Sequence, residues 1–178
     1  QFMENFAWSY DVLTRCSSHH ELGKPLPRDM FDKLEASRHA GAALAMLRQL
    51  ELGLFDLRVH TEYDPEHPAP VLETLAEVRE EVALIRHPDF NRLPHAFSHI
   101  FAGGYAAGYY SYKWAEVLAA DAYAAFEEAG IFDAETAQRF RREILEVGGS
   151  RDIMDAYVAF RGREPTIDAL LHQTGIET

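Results

Sequence analysis

Three tyrosines at helical spacing are the residues of this sequence best suited to chemistry. Tyr105, Tyr109 and Tyr112 stand at i, i+4 and i+7, so a helix that begins near residue 105 would project their hydroxyls from one face. Phenolic hydroxyls grouped in this way can donate hydrogen bonds to carbonyl groups. Aromatic side chains at helical spacing are also typical of core packing, and both interpretations stay open at this point.

A histidine and a pair of glycines precede the tyrosines. His99 lies shortly before Gly103 and Gly104, and glycine allows the backbone conformations that a mobile or ligand-contacting loop needs. A glycine pair and an imidazole beside a tyrosine cluster favour hydrogen-bond donors that are offered to a ligand. The glycine pair lacks the preceding strand and the lysine of a phosphate-binding loop, so the pattern argues against nucleotide binding.

The histidines of this chain do not have the spacing of a zinc site. His95 and His99 are four residues apart, but Pro94 indicates irregular backbone and no acidic general base stands between them. Residues 20–24 begin an H-E-x-x-H pattern, yet a lysine occupies the position of the second histidine. We therefore expect no metal ligand among these residues.

The composition is typical of an acidic globular domain. The chain has 178 residues, of which 47% are hydrophobic and 26% charged, and it carries a net charge of −12. This charge repels phosphate backbones, so we expect no nucleic-acid partner. No apolar stretch reaches the roughly 20 residues of a membrane span, so we expect no membrane partner. The single cysteine, Cys16, cannot form an internal disulfide, which favours the cytoplasm.

Helical periodicity runs through most of the chain, and no segment has the pattern of a sheet core. Leu47, Leu50, Leu54 and Leu57 form an apolar stripe on one predicted helix. Gly41 predicts a break before that helix, because glycine costs about 1 kcal/mol relative to alanine in a helix interior. The fold class is therefore all-α, an irregular multi-helix bundle. The predicted helices cover residues 2–15, 28–63 with a break near 38–41, 71–82, 106–128, 134–147, 152–160 and 165–173.

Residues 97–112, followed by Trp114, closely resemble the signature of the thimet-type zinc oligopeptidases, and the bacterial oligopeptidase A branch is the most similar. Residues 1–5, 47–56 and 148–165 agree with the same family, so the resemblance spans essentially the whole chain. It implies that residues 1–178 are a single carboxy-terminal fragment of the catalytic subdomain. The implied fold is the carboxy-terminal helical part of a zincin-type oligopeptidase.

The resemblance also implies catalytic roles for three side chains. Tyr105 and Tyr112 match the family's tyrosines that donate to the tetrahedral intermediate, and His99 matches the histidine that assists them. Such donors lower the energy of the negative charge that builds on the attacked carbonyl oxygen.

Four further residues gain implied roles from the same family. Gly103, Gly104 and Tyr109 match the loop that closes over the peptide and would contact the substrate. Glu4 would lie about two helical turns after the family's zinc-binding glutamate, where its carboxylate could orient a metal-bound histidine.

The zinc ligands of the family match positions before residue 1. The resemblance therefore implies a zinc metalloendopeptidase that cuts internal bonds of short peptides, with zinc in the parent enzyme and none bound by this fragment. The fragment alone is expected to be inactive without the amino-terminal remainder of the same protein. The alternative is a non-catalytic helical module, derived from such a peptidase, that binds peptides without cutting them.

Overall fold

The computed structural model describes residues 1–67 and 70–176, and this part of the chain is helical without any strand. The all-α prediction is therefore confirmed for these residues. No helix in the described ranges has the length and apolar character needed to cross a membrane. The helices are a 3-10 helix over Phe2–Trp8, α1 Tyr10–Cys16, α2 Arg28–Arg38, α3 Ala42–Thr61, α4 Val71–Val82, α5 Leu93–Ala96, α6 Ser98–Phe101, α7 Ser111–Ala129, α8 Ala134–Phe140, a π-helix over Arg141–Leu145, α9 Ile153–Arg161 and α10 Asp168–Thr174.

The predicted break between the second and third helices is confirmed. Gly41 has a φ of 77° at the start of α3, a left-handed conformation that glycine adopts without the steric penalty of a side chain. The helix predicted to start at Asp152 is also confirmed, with this aspartate as its cap. The Asp152 carboxylate accepts the backbone N–H groups of Met154 and Asp155 at 2.8 and 3.3 Å, which satisfies two donors at the start of α9.

Three predicted helices differ from the structure. Residues 2–15 form two helices because the backbone of Ser9 is extended, with φ −95° and ψ 125°. Residues 134–147 continue from α8 into the π-helix rather than remaining α-helical throughout. The helix predicted from residue 106 begins at Ser111, and residues 102–110 form a loop of bends and turns. We call residues 102–110 the tyrosine loop.

The chain divides into two compact units. One unit comprises residues 41–114, which contain α3 to α6, the tyrosine loop and the first residues of α7. The other, which we call the terminal unit, comprises residues 1–40 and the described residues from Ala115 onward.

The core of the 41–114 unit lies between α3, α4 and the short helices α5 and α6. The predicted stripe on α3 is not its most buried face, since Leu50 is 43% exposed whereas Phe55 is fully buried. The orientation of α3 follows from its packing against α4 and the residues around α6, and helical periodicity alone does not contain that information. The core residues are Leu52, Phe55, Leu75, Val78, Phe97 and Ile100.

The terminal unit has an aromatic core of its own. Phe2 stacks on Phe140 with ring centroids 4.2 Å apart, so the apolar side of the first helix does pack inward. The buried members of this core are Ala122, Ala125, Phe126, Tyr157 and Phe160.

A buried carboxylate ties α7 to α9 inside the terminal unit. Asp121 is 1% exposed and accepts a hydrogen bond from the Tyr157 hydroxyl at 2.6 Å. Arg163 donates to both of its oxygens. Burial alone would raise the pKa of Asp121, but the hydrogen bonds from Arg163 and Tyr157 hold it below its ordinary value.

Candidate functional site

Four aromatic rings meet where the tyrosine loop enters α7. The ring centroid of Tyr112 lies 5.1 Å from that of Tyr105 and 5.2 Å from that of Tyr109. The imidazole of His99 lies 6.2 Å from Tyr105, 5.9 Å from Tyr109 and 6.5 Å from Tyr112. We call these four residues the ring cluster. The structure thus brings together the histidine and the three tyrosines that the sequence singled out.

The ring cluster is assembled by a loop and not by one helical face. Tyr105 and Tyr109 lie in the tyrosine loop, Tyr112 lies in the first turn of α7, and His99 lies on α6. The prediction that a single helix aligns the three hydroxyls was wrong, because Ala107 has a φ of 53°. A left-handed residue of this kind does not continue a right-handed helix.

Two glycines bring the loop close to His99. A side chain at Gly103 would place its Cβ 2.9 Å from the Cα and the carbonyl oxygen of His99, which is closer than non-bonded atoms approach. Gly104 has a φ of 80°, where glycine is favoured. The next N–H, that of Tyr105, donates to the His99 carbonyl at 3.1 Å. The glycine pair therefore sets the distance between the loop and the histidine.

The ring cluster lies at the surface, where a ligand can reach it. Tyr105 is 36% exposed, His99 is exposed, and Tyr112 is half-buried. A hydrogen bond with Tyr105 raises the pKa of Tyr112. A phenol is neutral at physiological pH even at its ordinary pKa of about 10, so Tyr112 has the proton that a hydrogen-bond donor needs.

Tyr109 is fixed toward α3 by its own hydroxyl. The hydroxyl donates to the Gln49 side-chain oxygen at 3.1 Å, and the ring packs edge-on against Phe97 with centroids 5.1 Å apart. Burial raises the pKa of Tyr109, although the charge of Arg48 acts in the opposite direction. Tyr109 thus presents its ring rather than its hydroxyl to the other aromatic rings.

Sequence reasoning missed the residue that holds the backbone of the tyrosine loop. Asp56 on α3 is 0% exposed, and its carboxylate accepts the N–H of Ala107 at 2.9 Å and that of Tyr109 at 2.8 Å. The available signal was an acidic residue between Phe55 and Leu57 in an apolar stretch, because a carboxylate is rarely buried without partners.

A second buried carboxylate, Glu51, joins α3 to α4 and the segment that follows α4. It is 2% exposed and accepts hydrogen bonds from Arg48 at 2.7 Å and Arg79 at 2.9 Å, with His87 at 3.4 Å. Burial would raise the pKa of Glu51, but the hydrogen bonds from Arg79 and Arg48 hold it below its ordinary value. Glu51 therefore lies on the side of α3 that packs on α4, whereas Asp56 lies on the side that meets the tyrosine loop.

Glu4 lies in the terminal unit, on the 3-10 helix. Its side chain is 80% exposed, so its predicted role as an orienting carboxylate depends on groups beyond these residues and stays a prediction.

The described residues do not provide a zinc site. No three histidine, cysteine, aspartate or glutamate side chains among residues 1–67 and 70–176 come together as a group that could hold a metal ion. His95 lies on α5 and His99 on the separate helix α6. The described residues therefore do not provide the ligands for the zinc ion that the resemblance to the thimet-type oligopeptidases implies.

The chain belongs to peptidase family M3, whose family model matches residues 1–176. The resemblance seen in residues 97–114 is thereby confirmed. The chain is 56% identical to oligopeptidase A of Escherichia coli strain K12 over 177 residues. It is 55% identical to oligopeptidase A of Salmonella typhimurium over 177 residues and 52% identical to that of Haemophilus influenzae over 176 residues. Each match covers 99% of this chain and 26% of the relative's length.

Proposed function

We propose that this chain is part of a zinc-dependent oligopeptidase that hydrolyses internal bonds of short peptides. In this proposal the chain supplies residues that hold the substrate and stabilise the transition state. The observation that carries the proposal is the exposed ring cluster of His99, Tyr105, Tyr109 and Tyr112. The 52–56% identity to three oligopeptidases A supports the choice of substrate class.

Tyr105 and Tyr112 are the proposed donors to the oxyanion. Nucleophilic attack on a peptide carbonyl places negative charge on its oxygen, and a donor fixed at that point stabilises the transition state by about 2.7–4 kcal/mol. Both phenols are suited to this role because they lie side by side at the surface, and a phenolic O–H is a hydrogen-bond donor. His99 assists by packing its imidazole against both rings.

Gly103, Gly104 and Tyr109 are the proposed substrate contacts. Gly103 lets the tyrosine loop lie directly against the backbone of His99, and Gly104 has no atom within 4 Å of where a side chain would begin, so a peptide main chain can approach the loop closely at Gly104. Tyr109 contributes its ring, since its hydroxyl donates to Gln49. Loop closure over a bound peptide would then bring Tyr105 toward the scissile carbonyl.

The zinc ligands and the general base belong, in this proposal, to the amino-terminal remainder of the same protein, before residue 1. The share of the relatives' length that the chain spans, 26%, supports this division. Residues 1–178 then form one carboxy-terminal portion of the catalytic part, and Glu4 orients a histidine that binds the metal. The proposed location is the cytoplasm, with short peptides as the partners.

Peptide hydrolysis by two proteins tests the proposal. The full-length protein that contains these residues should cleave a quenched fluorescent peptide and lose activity in a zinc chelator. The 178 residues alone, shown to be helical by circular dichroism, should not cleave it even with added zinc. Cleavage by the 178 residues would contradict the division of the site. Peptide binding without cleavage by the full-length protein would favour the non-catalytic binding module.

A further inference from the structure

A single buried carboxylate fixes the backbone of the tyrosine loop. Both oxygens of Asp56 are used, one by the N–H of Ala107 at 2.9 Å and the other by the N–H of Tyr109 at 2.8 Å. The two amides lie 51 and 53 positions away in the sequence. His60 Nδ1, one turn further along α3, lies 3.0 Å from the same carboxylate. Asp56 therefore joins a rigid helix to a loop that has no regular structure of its own.

The loop conformation that Asp56 holds is one that the chain does not adopt readily. Ala107 is the non-glycine residue with positive φ, 53°, among the described residues. A strained residue persists where its surroundings hold it in place, and such residues are frequent at ligand-binding and catalytic sites. Ala107 donates its N–H to the buried carboxylate of Asp56, so Asp56 holds the loop at the residue whose backbone is strained.

The hydrogen bonds of Asp56 reach the middle of the tyrosine loop. Its two amide partners lie on either side of Gly108, between Tyr105 and Tyr112. The remaining backbone bonds of the loop are local, such as that from the Gly108 N–H to the Tyr105 carbonyl at 2.8 Å. Asp56 thus holds the segment that connects the two proposed oxyanion donors.

We propose that Asp56 is a positioning residue: it holds the tyrosine loop so that Tyr105 and Tyr112 lie together, and it contacts no substrate itself. This inference rests on the proposed oligopeptidase function for its effect on catalysis. The holding of the loop itself is independent of that function and can be measured separately.

Substitution Asp56→Asn in the full-length protein tests the proposal. Asparagine has one acceptor oxygen, and its amide N–H₂ faces the second backbone N–H, so one hydrogen bond is replaced by a repulsive contact. We expect kcat to fall by about 100-fold with KM little changed, since small misplacements of catalytic groups have effects of that size. Hydrogen–deuterium exchange of residues 102–110 should become faster.

Substitution Glu51→Gln is the matched control. Glu51 lies on the same helix, is 2% exposed, and has Arg48 and Arg79 as its hydrogen-bond partners instead of the loop. Any general loss of stability from disturbing a buried carboxylate on α3 should be similar in both variants. We expect Glu51→Gln to leave kcat and the exchange of residues 102–110 as in the parent protein. An equal effect of both substitutions on kcat and on loop exchange would overturn the proposal.

The double variant Asp56→Asn with Tyr112→Phe separates this inference from the proposed function. If Asp56 positions both Tyr105 and Tyr112, the loss in kcat caused by Asp56→Asn should be smaller in the Tyr112→Phe background than in the parent protein. Unchanged kcat in Tyr112→Phe, together with faster loop exchange in Asp56→Asn, would contradict the proposed function and keep the positioning role of Asp56. Reduced kcat in Tyr112→Phe, with loop exchange and kcat unchanged in Asp56→Asn, would overturn the positioning role alone.

Exchange in the unaltered full-length protein tests the proposal even if Asp56→Asn does not fold. The amides of Ala107 and Tyr109 should exchange slowly because the buried carboxylate accepts them. Those of Gly104 and Ala106, which have no acceptor among the described residues, should exchange fast. Equal rates for the two pairs, resolved by fragmentation in the mass spectrometer, would overturn the proposal.

Discussion

The ring of Tyr105 lies 5.1 Å from that of Tyr112, centroid to centroid, with the two planes tilted by 31°. One residue belongs to the tyrosine loop and the other to the first turn of α7. The distance between the two phenols therefore depends on the conformation of the loop between them. Substitutions that change this loop should impair catalysis without touching either hydroxyl.

Gly103→Ala is expected to displace the tyrosine loop from His99. The new Cβ would lie 2.9 Å from the Cα and the carbonyl oxygen of His99, and backbone atoms cannot move aside as a flexible side chain can. We expect a loss of stability of about 1–3 kcal/mol and a fall in kcat. Urea unfolding and peptide hydrolysis measure the two effects.

Gly149→Ala is the control for that substitution. A Cβ at Gly149 meets no atom within 4 Å, and the residue has no positive φ. Its unfolding free energy should change by no more than about 0.5 kcal/mol. If both alanine variants lost the same stability and activity, the close approach of Gly103 to His99 would not be the cause.

Asp121→Ala is expected to destabilise the terminal unit. The substitution leaves Arg163 and the buried hydroxyl of Tyr157 without their shared acceptor. Because the Arg163 side chain is 43% exposed and water can solvate it, we expect a loss of about 1–3 kcal/mol, mainly from the Tyr157 hydroxyl. Denaturant unfolding measures the loss. Asp29→Ala removes an exposed carboxylate 3.9 Å from Lys33 and should have almost no effect.

Acid should destabilise the protein through the carboxylates of Glu51 and Asp121. The pKa of each is below its ordinary value in the folded state. Their contribution to stability is therefore complete above the unfolded-state pKa of about 4. It is lost as the pH falls through the lower folded-state pKa. The urea concentration at the midpoint of unfolding, measured from about pH 6 to about pH 2, should decrease less with falling pH in Asp121→Ala than in the parent protein.

Glu4→Gln in the full-length protein is expected to weaken the retention of zinc. A carboxylate that orients a metal-bound histidine raises the basicity of that ligand, and its loss reduces metal affinity by about 10- to 100-fold. Zinc content after dialysis against a chelator is the measurement. Glu21→Gln, a carboxylate that is 73% exposed, is the control. Equal zinc content in the two variants would rule out the role of Glu4.

Local sequence signals predicted the helices well where the cause is local. Gly41 separates α2 from α3 through its left-handed backbone, and Asp152 caps α9 with its own side chain. The helices predicted from residues 71 and 134 likewise begin where α4 and α8 begin. Each of these signals acts within a few residues, so the sequence contains it.

The parts that could not be predicted depend on contacts across long sequence separations. The start of α7 moves from the predicted residue 106 to Ser111 because Asp56 holds Ala107 and Tyr109 in a loop. The buried face of α3 contains Phe55 rather than Leu50, since α4 and the residues around α6 determine it. The sequence singled out His99 and the three tyrosines, and the structure brings their rings together, through a loop and not through the predicted helix.

Turnover of Tyr112→Phe in the full-length protein tests the central claim most directly, with Tyr109→Phe as the comparison. The Tyr109 hydroxyl already donates to Gln49, so its loss should change KM more than kcat. Tyr112→Phe should lower kcat by about 100- to 1000-fold and leave KM nearly unchanged, as expected for a contact made in the transition state. An effect of Tyr112→Phe confined to KM, or an unchanged kcat, would contradict the role of Tyr112 as an oxyanion donor.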